Sequence, residues 1–239
     1  MVFESEIGQM IHEKVKFTLF YLDFDNFKNL NDVLGHEYGD QFLYDYSVKI
    51  KEVVPKGMVY RWSGDEFLIV QTTDNLDEVK EIIDTLMTFT KRKWTVGNME
   101  YYPSISMGVT RYPQDGQSVS ELMKNVEMAL YKSKDSGKSQ HRFYESIFQQ
   151  DVERLIHVES SINKVFQNNA FVLFYQPIYE LTEGKIEGFE VLLRWHDNSG
   201  NITTGEFIDV AEKTGQIIEI DRWVIKNAFE FRSEEHTSE

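Results

Sequence analysis

The sequence predicts a mixed α/β (α+β) fold, a mainly antiparallel sheet flanked by helices, with a second unit of different character behind it. Three observations carry this. A short aromatic strand, Phe17–Phe24, ends in acidic residues; the order of elements that follows reads β-α-α-β-β-α-β-β-α-β; and the pattern changes after Phe143-Tyr144.

The elements follow in order. FTLFYLDF is short, apolar and aromatic, as a central buried strand is. Asn26–Leu34 and Gln41–Val54 read as helices separated by a turn over Gly35–Gly39, and Pro55 and Gly57 stop the second. Met58–Trp62 and Phe67–Thr72 alternate like strands around Ser63-Gly64-Asp65-Glu66, which predicts a hairpin. Leu76, Val79, Ile82, Ile83, Leu86 and Met87 form one helical face, and Trp94–Val96 and Ser104–Arg111 read as strands. Ser118 with Glu121 is a capping box that opens a helix with Leu122, Val126, Ala129 and Leu130 on its core face; Gly137 ends it.

A second unit is expected from residue 149 to residue 231. A long polar helix with Val152, Leu155, Ile162 and Val165 leads to Asn168-Asn169. Strands Phe171–Ile178 and Lys185–Trp195 follow, then helices Thr204–Thr214 and Ile220–Phe231. The tail Arg232–Glu239 has neither periodicity nor apolar anchors and reads as a non-native extension, like a translated adapter sequence.

Composition excludes several classes of function. In 239 residues, 41% hydrophobic and 14% aromatic content is enough for a packed core and rules out a disordered tail. A net charge of −15 repels a nucleic-acid duplex or an anionic membrane surface, but not a nucleotide held by a few lysines or a metal. Cys is absent, which removes disulfides, thiol nucleophiles and Cys-based zinc sites. No apolar run reaches about 18 residues and no secretory signal is visible, so a soluble, cytoplasmic chain is expected.

Asp23 and Asp25 close the first strand, and Asp65 and Glu66 sit at the hairpin tip. If the hairpin lies beside that strand, the acids converge at one sheet edge. Clustered carboxylates resist joint ionisation; a divalent cation removes that cost, and oxygen ligands with water suit Mg²⁺. Each acid alone also reads as a solvated turn residue, because turns favour Asp for local reasons.

Four blocks then match a family. Asp23-Phe24-Asp25-Asn26-Phe27-Lys28-Asn29-Leu30-Asn31-Asp32, Gly35-His36-Glu37-Tyr38-Gly39-Asp40, Arg61-Trp62-Ser63-Gly64-Asp65-Glu66-Phe67 and Ala129–Lys138 resemble, in order and spacing, the GGDEF domain of diguanylate cyclases. The resemblance covers about residues 10–145, within a domain expected over 1–145, and implies a palm-like nucleotide-cyclase fold. It also implies that the family's Asp-x-Leu-Thr entry segment is missing from the front. Asp23, the carbonyl of Phe24 and Asp65 would hold Mg²⁺ or Mn²⁺. Asn31 and Asp40 would read guanine, and Ser63 and Gly64 would lie against the phosphates. Lys28, Lys134 and Lys138 would offset phosphate charge, and Asp65 and Glu66 would be catalytic, with no division of that role legible. His36 would make a structural hydrogen bond rather than act as a base. Three departures stand out: Ser63 replaces the first signature glycine, Lys138-Ser139 replaces Arg-Asn, and Val54-Pro55-Lys56-Gly57 replaces the Arg-x-x-Asp feedback site.

Phe174-Tyr175-Gln176-Pro177-Ile178 and Gly188–Trp195 resemble the opening of EAL-type cyclic di-GMP phosphodiesterases, with Glu190 as a metal ligand and Arg194 as a phosphate contact. The match covers about the first third of such a (β/α) barrel, so strand edges and apolar surface should be exposed and hydrolysis is not expected. Together the resemblances imply condensation of two GTP into cyclic di-GMP and pyrophosphate, with two copies of the chain meeting face to face. The alternatives are a GTP-binding regulatory module and a structural dimerisation platform.

Overall fold

The computed structural model describes residues 2–168, 170–182, 184–195 and 202–235. The chain divides into two compact units, Met1–Gln149 and Gln150–Glu239.

The first unit is built on strand β1 (Phe17–Phe24), every residue of which is buried. Its neighbours follow from the hairpin β2 (Met58–Ser63) and β3 (Glu66–Gln71), and from β6 (Ile105–Tyr112) and β7 (His141–Phe143). The sheet order is β2-β3-β1-β6-β7, antiparallel except for the last pair. Alternation gives β1 two apolar faces. Phe20, Leu22 and Phe24 pack with Phe67, Ile69, Met107 and Val109 under helices α2 (Phe27–Leu34), α3 (His36–Val53) and α4 (Leu76–Thr90). Leu19 and Tyr21 pack with Leu68 and Val70 under α1 (Val2–His12) and α5 (Val119–Asp135). Each fully buried phenyl ring contributes about 2–3 kcal/mol of transfer free energy, which holds the helices on the sheet.

Several expectations need correction. No element was expected before Phe17, yet α1 is present; Phe3 and Ile7, one turn apart, are its buried face. The turn expected over Gly35–Gly39 shrinks to Gly35, whose φ of 92° ends α2 and begins α3. Gly39 is helical, and a Cβ there would lie 1.9 Å from Asn31 Oδ1; α2 and α3 touch at this point because there is none. A short strand β5 (Met99–Tyr101) pairs with β4 (Trp94–Val96). The capping box at Ser118 is half as expected: Ser118 Oγ accepts from Glu121 N, but the Glu121 carboxylate accepts from Gln117 N, one residue earlier. Helix α5 lies close on β6 because a Cβ at Gly108 would meet Val126 O at 2.2 Å.

Helix α6 (Ile147–Asn168) starts in the first unit and continues into the second. The second unit is the two-stranded ladder β8 (Phe171–Tyr179) and β9 (Ile186–Trp195) with α7 (Thr204–Thr214) and α8 (Ile217–Glu235). Its core is Val158, Ile162, Val165, Phe171, Phe207 and Ala211. Arg154 of α6 grips both oxygens of Glu206 in the first turn of α7, and holds that carboxyl below its ordinary value. Helix α8 continues to Glu235, four residues into the segment read from the sequence as a non-native extension. Nothing there breaks a helix: the stretch has no Gly or Pro. Residues 236–239 of that segment, and Asn169 of the expected turn, lie outside the described residues. No described helix is long and apolar enough to cross a membrane.

Candidate functional site

The C-terminal end of β1 delivers the first acid. Asp23 stands opposite Glu66 on β3 and Ser106 on β6. It is 9% exposed, and Lys134 Nζ from α5 lies 2.7 Å from its Oδ2. Burial pushes its carboxyl above the ordinary value; Lys134 opposes the shift, and Asp65 and Asp25 add to it. Asp25 was expected to join the converging acids, but its oxygens are taken. Ser104 Oγ donates at 2.8 Å, Ser106 Oγ at 2.7 Å and Ser139 N at 3.0 Å. It ties the loop after α5 to the end of β1 and so has a structural task.

The hairpin brings the second pair. Gly64 and Asp65 alone bridge β2 and β3, with Gly64 at φ 46°. The ladder is irregular between Arg61 and Ser63. The Asp65 carboxyl is raised, first by burial and then by Glu66, against the pull of Lys134 and Arg61. Glu66 faces Asp23 on the α5 side of the sheet, the side of Tyr21. Burial raises the Tyr21 phenol first, and the Glu66 charge, to which it hydrogen-bonds, raises it further. Glu127 of α5 lies near the same charge: partial desolvation and Glu66 both raise its carboxyl. The structure thus brings Asp23, Asp65, Glu66 and Lys134 together.

The nucleotide-reading candidates lie on the other helices. Asn31, on α2, is held against Gly39, and its Oδ1 is buried without a hydrogen-bond partner. Asp40, in the second turn of α3, is exposed and takes Arg61 Nη2 at 3.0 Å; the Arg61 Nε donates to Gly64 O at 2.9 Å. Lys28 is exposed on α2. Lys138, in a left-handed conformation, donates from Nζ to Asn26 Oδ1 at 2.8 Å, and Asn26 is itself left-handed. Ser63 is exposed beside Gly64. His36 is exposed at the start of α3, and the hydrogen bond expected of its imidazole is not found among the described residues.

Sequence reasoning missed three members. Arg61 was quoted only as part of a motif, though an arginine two residues before a tight turn can reach that turn's carbonyls. Tyr21 was taken as core; a polar-tipped aromatic two residues before a buried acid shares its face. Glu127 interrupts the apolar spacing of α5 between Val126 and Leu130, and that interruption was the available signal.

In the second unit, Glu190 and Arg194 lie on β9, four residues apart and therefore on one face. Glu190 is exposed and pairs in register with Gln176; Arg194 pairs with Val172 and donates to Leu193 O at 2.8 Å. The expected exposure is present: Phe174, Ile178, Phe189, Ile225 and Phe229 are each about half open to solvent or more.

Among the described residues, no three His, Cys, Asp or Glu side chains gather closely enough to form a metal cage. The donor set nonetheless suits a divalent cation that takes few protein ligands. Two carboxylates, Asp23 and Asp65, are raised by burial and by other acids, and a cation relieves that cost; Mg²⁺ commonly takes one or two carboxylates with water and phosphate.

The comparisons with known proteins agree with one another. The family described as "Diguanylate cyclase, GGDEF domain" matches residues 2–140, and the EAL domain family matches 159–238. The bifunctional diguanylate cyclase/cyclic di-GMP phosphodiesterase MucR of Pseudomonas aeruginosa is 32% identical, over 94% of this chain and 33% of its own length. The signaling protein YkoW of Bacillus subtilis is 36% identical, over 88% of this chain and 27% of its own. This chain therefore spans about a third of the length of the curated relatives it matches. Among solved structures, the GGDEF domain of TpbB (YfiN) from Pseudomonas aeruginosa superposes with a TM-score of 0.60 at 21% identity, over 64% of this chain and 92% of that one, and shows the fold. An EAL/GGDEF domain protein from M. capsulatus gives 0.53 at 26% identity, over 61% of this chain and 97% of that one.

Proposed function

This chain belongs to the GGDEF family of cyclic di-GMP signalling proteins and carries part of an EAL domain behind it, and from that premise we propose that its first unit is a diguanylate cyclase. It condenses two GTP into cyclic di-GMP with release of two pyrophosphates. The observation that carries the reading is the juxtaposition of Asp23 with Glu66 across β1 and β3, Asp65 in the adjoining turn, and Lys134 2.7 Å from Asp23.

The residues divide the work as follows. Asp23, the Phe24 carbonyl and Asp65 would hold Mg²⁺ or Mn²⁺. When bound, such a cation offsets the negative charge that gathers on the phosphoryl oxygens. Asn31 and Asp40 read guanine: a buried, unspent amide oxygen and a carboxylate accept from its N–H donors, which adenine presents in a different pattern. Ser63 and Gly64 leave the turn open to phosphate. Lys28 and Lys138 supply positive charge, and Lys134 supplies it after exchanging Asp23 for the ligand. Glu66, to which Tyr21 hydrogen-bonds, would accept the 3′-hydroxyl proton. Each domain holds one GTP, so each 3′-oxygen attacks the α-phosphorus in a second copy of the chain, and a homodimer is required. Glu190 and Arg194 of the EAL part take no step in this condensation.

Incubating the purified protein with GTP and Mg²⁺ and separating the products tests this; cyclic di-GMP is expected, and its absence at high protein concentration overturns it. Ser63 and Lys138, which depart from the family's glycine and arginine, favour one second reading. In it the domain binds GTP without turnover and regulates a phosphodiesterase. GTP binding without product would select it.

A further inference from the structure

One contact joins two parts of the candidate site that the family resemblance treats separately. Arg61, on β2, uses two different edges of its guanidinium. Nε donates to Gly64 O at 2.9 Å, within the turn that carries Asp65, and Nη2 meets Asp40 Oδ1 at 3.0 Å, on α3. The two acceptors come from elements that share no backbone hydrogen bond. The irregularity of the β2–β3 ladder between Arg61 and Ser63 lies at the residue where the arginine leaves the strand. Asp40 alone is an exposed side chain with free rotamers; its side chain is 72% open, and that of Arg61 is 41% open. The rigid guanidinium plane fixes the directions of its two bonds relative to each other, one to the Gly64 carbonyl and one to the Asp40 carboxylate.

A carboxylate has about four acceptor positions. Asp40 can therefore keep Arg61 on one oxygen and still accept from a ligand. Resting on the reading of this site as a GTP site, we propose that Arg61 is a positioning residue that ties the base-reading carboxylate of Asp40 to the 63–66 turn, so that capture of guanine orders the turn bearing Asp65. Hydrogen bonds in series polarise one another, and here the series runs from base to Asp40 to Arg61 to Gly64 O. The exposed pair itself adds little to folding stability, so its loss affects binding rather than the fold.

A double-mutant cycle decides the matter. The probe is 3′-deoxy-GTP, which lacks the attacking hydroxyl, titrated with Mg²⁺ into the intact chain, Arg61→Gln, Asp40→Asn and the double variant. Arg61→Gln is expected to weaken binding roughly tenfold, the scale of one charge-assisted hydrogen bond. In the Asp40→Asn background it is expected to add less than about twofold, because the partner is already gone. Arg61→Lys, which keeps charge but loses the fork, should recover part of the affinity but not kcat with GTP. The melting temperature should be the same in all five proteins. An equal loss in both backgrounds overturns the proposal and leaves Arg61 acting on the turn alone. No loss in either background also overturns it. Failure of the unaltered chain to bind the probe removes the GTP reading and this inference with it. Coupled binding without cyclic di-GMP formation from GTP overturns only the cyclase reading.

Discussion

Both units place a signature glutamate on a strand, and the surroundings of the two could hardly differ more. Glu66 lies on an inner strand of a five-stranded sheet, opposite the buried Asp23 and near Tyr21, Glu127 and the turn acid Asp65. Among the described residues, Glu190 lies on one of two strands that pair with each other and with no third, and it is exposed. Neighbouring strands desolvate a carboxylate and set other charges against it, as burial and nearby acids do for Asp23 and Asp65, which raises their carboxyls. The first unit supplies those neighbours, and among the described residues β8 is the one strand beside Glu190.

The largest expected effect tests this contrast directly. Asp65→Asn keeps size and removes charge at the turn, and should lower Mg²⁺-dependent GTP turnover by about a thousandfold, the scale of removing a group that meets transition-state charge. Glu190→Gln should leave turnover unchanged. Product formation by the two variants, measured with circular dichroism as a fold control, checks both; full activity of Asp65→Asn would break the comparison.

Base selection should come next in size. If Asn31 and Asp40 read guanine, ATP leaves their polar groups unmatched at about 1–3 kcal/mol each, which is roughly tenfold or more in affinity. Calorimetric titration with both nucleotides measures the ratio, and equal affinities would remove these two residues from the site.

How much of this was legible in the sequence depends on range. The strand Phe17–Phe24, the hairpin around residues 63–66 and the helix from Ser118 were readable because their signals are local: apolar runs, a turn and a cap. The convergence of Asp23 and Glu66 was readable only on condition that the hairpin lies beside the first strand, since their register is set by pairing across more than forty residues. Asp25 was misjudged because its three donors lie about eighty and more than a hundred residues away. The turn at Gly35 looked longer than it is because a second glycine, Gly39, serves a close approach to Asn31 rather than a reversal. The Arg61 contacts could not be read, because nothing in a motif says which carbonyl or carboxylate an arginine will find.

The two units should also differ in the sign of their pH dependence. Asp23 and Asp65 are raised above 3.8, so the folded chain holds their protons more tightly than the unfolded chain does. Their contribution favours folding at acid pH and is lost as pH rises from 3.8 through the raised values. Glu206 is lowered below 4.5 by Arg154; its contribution is present above 4.5 and is lost as pH falls through the lowered value. Hydrogen exchange read separately in strands β1 and β3 and in α7 should show these opposite trends. Arg154→Gln should remove only the second, by about 1 kcal/mol or less for a pair this open to water. Mg²⁺ should flatten only the first.

The smallest expected effect is inhibition by product. Where relatives in this family carry an Arg-x-x-Asp feedback site, this chain has Val54-Pro55-Lys56-Gly57. Val54 is 2% exposed and packs in the core beneath the end of α3, so it offers an incoming ligand neither charge nor surface. Pro55 has no N–H, Gly57 has no side chain, and Lys56 supplies one charge without a planar fork. A ligand with two phosphates and two guanines cannot be gripped there as it is by an arginine and a carboxylate. Cyclic di-GMP should therefore inhibit only by competing with GTP at the site around Asp23 and Asp40, and raising GTP should relieve that inhibition completely. Progress curves at several GTP concentrations with added product measure this. Inhibition that GTP cannot relieve would place a product site on the first unit away from the acids, and would mean that loss of the arginine and carboxylate had not silenced feedback.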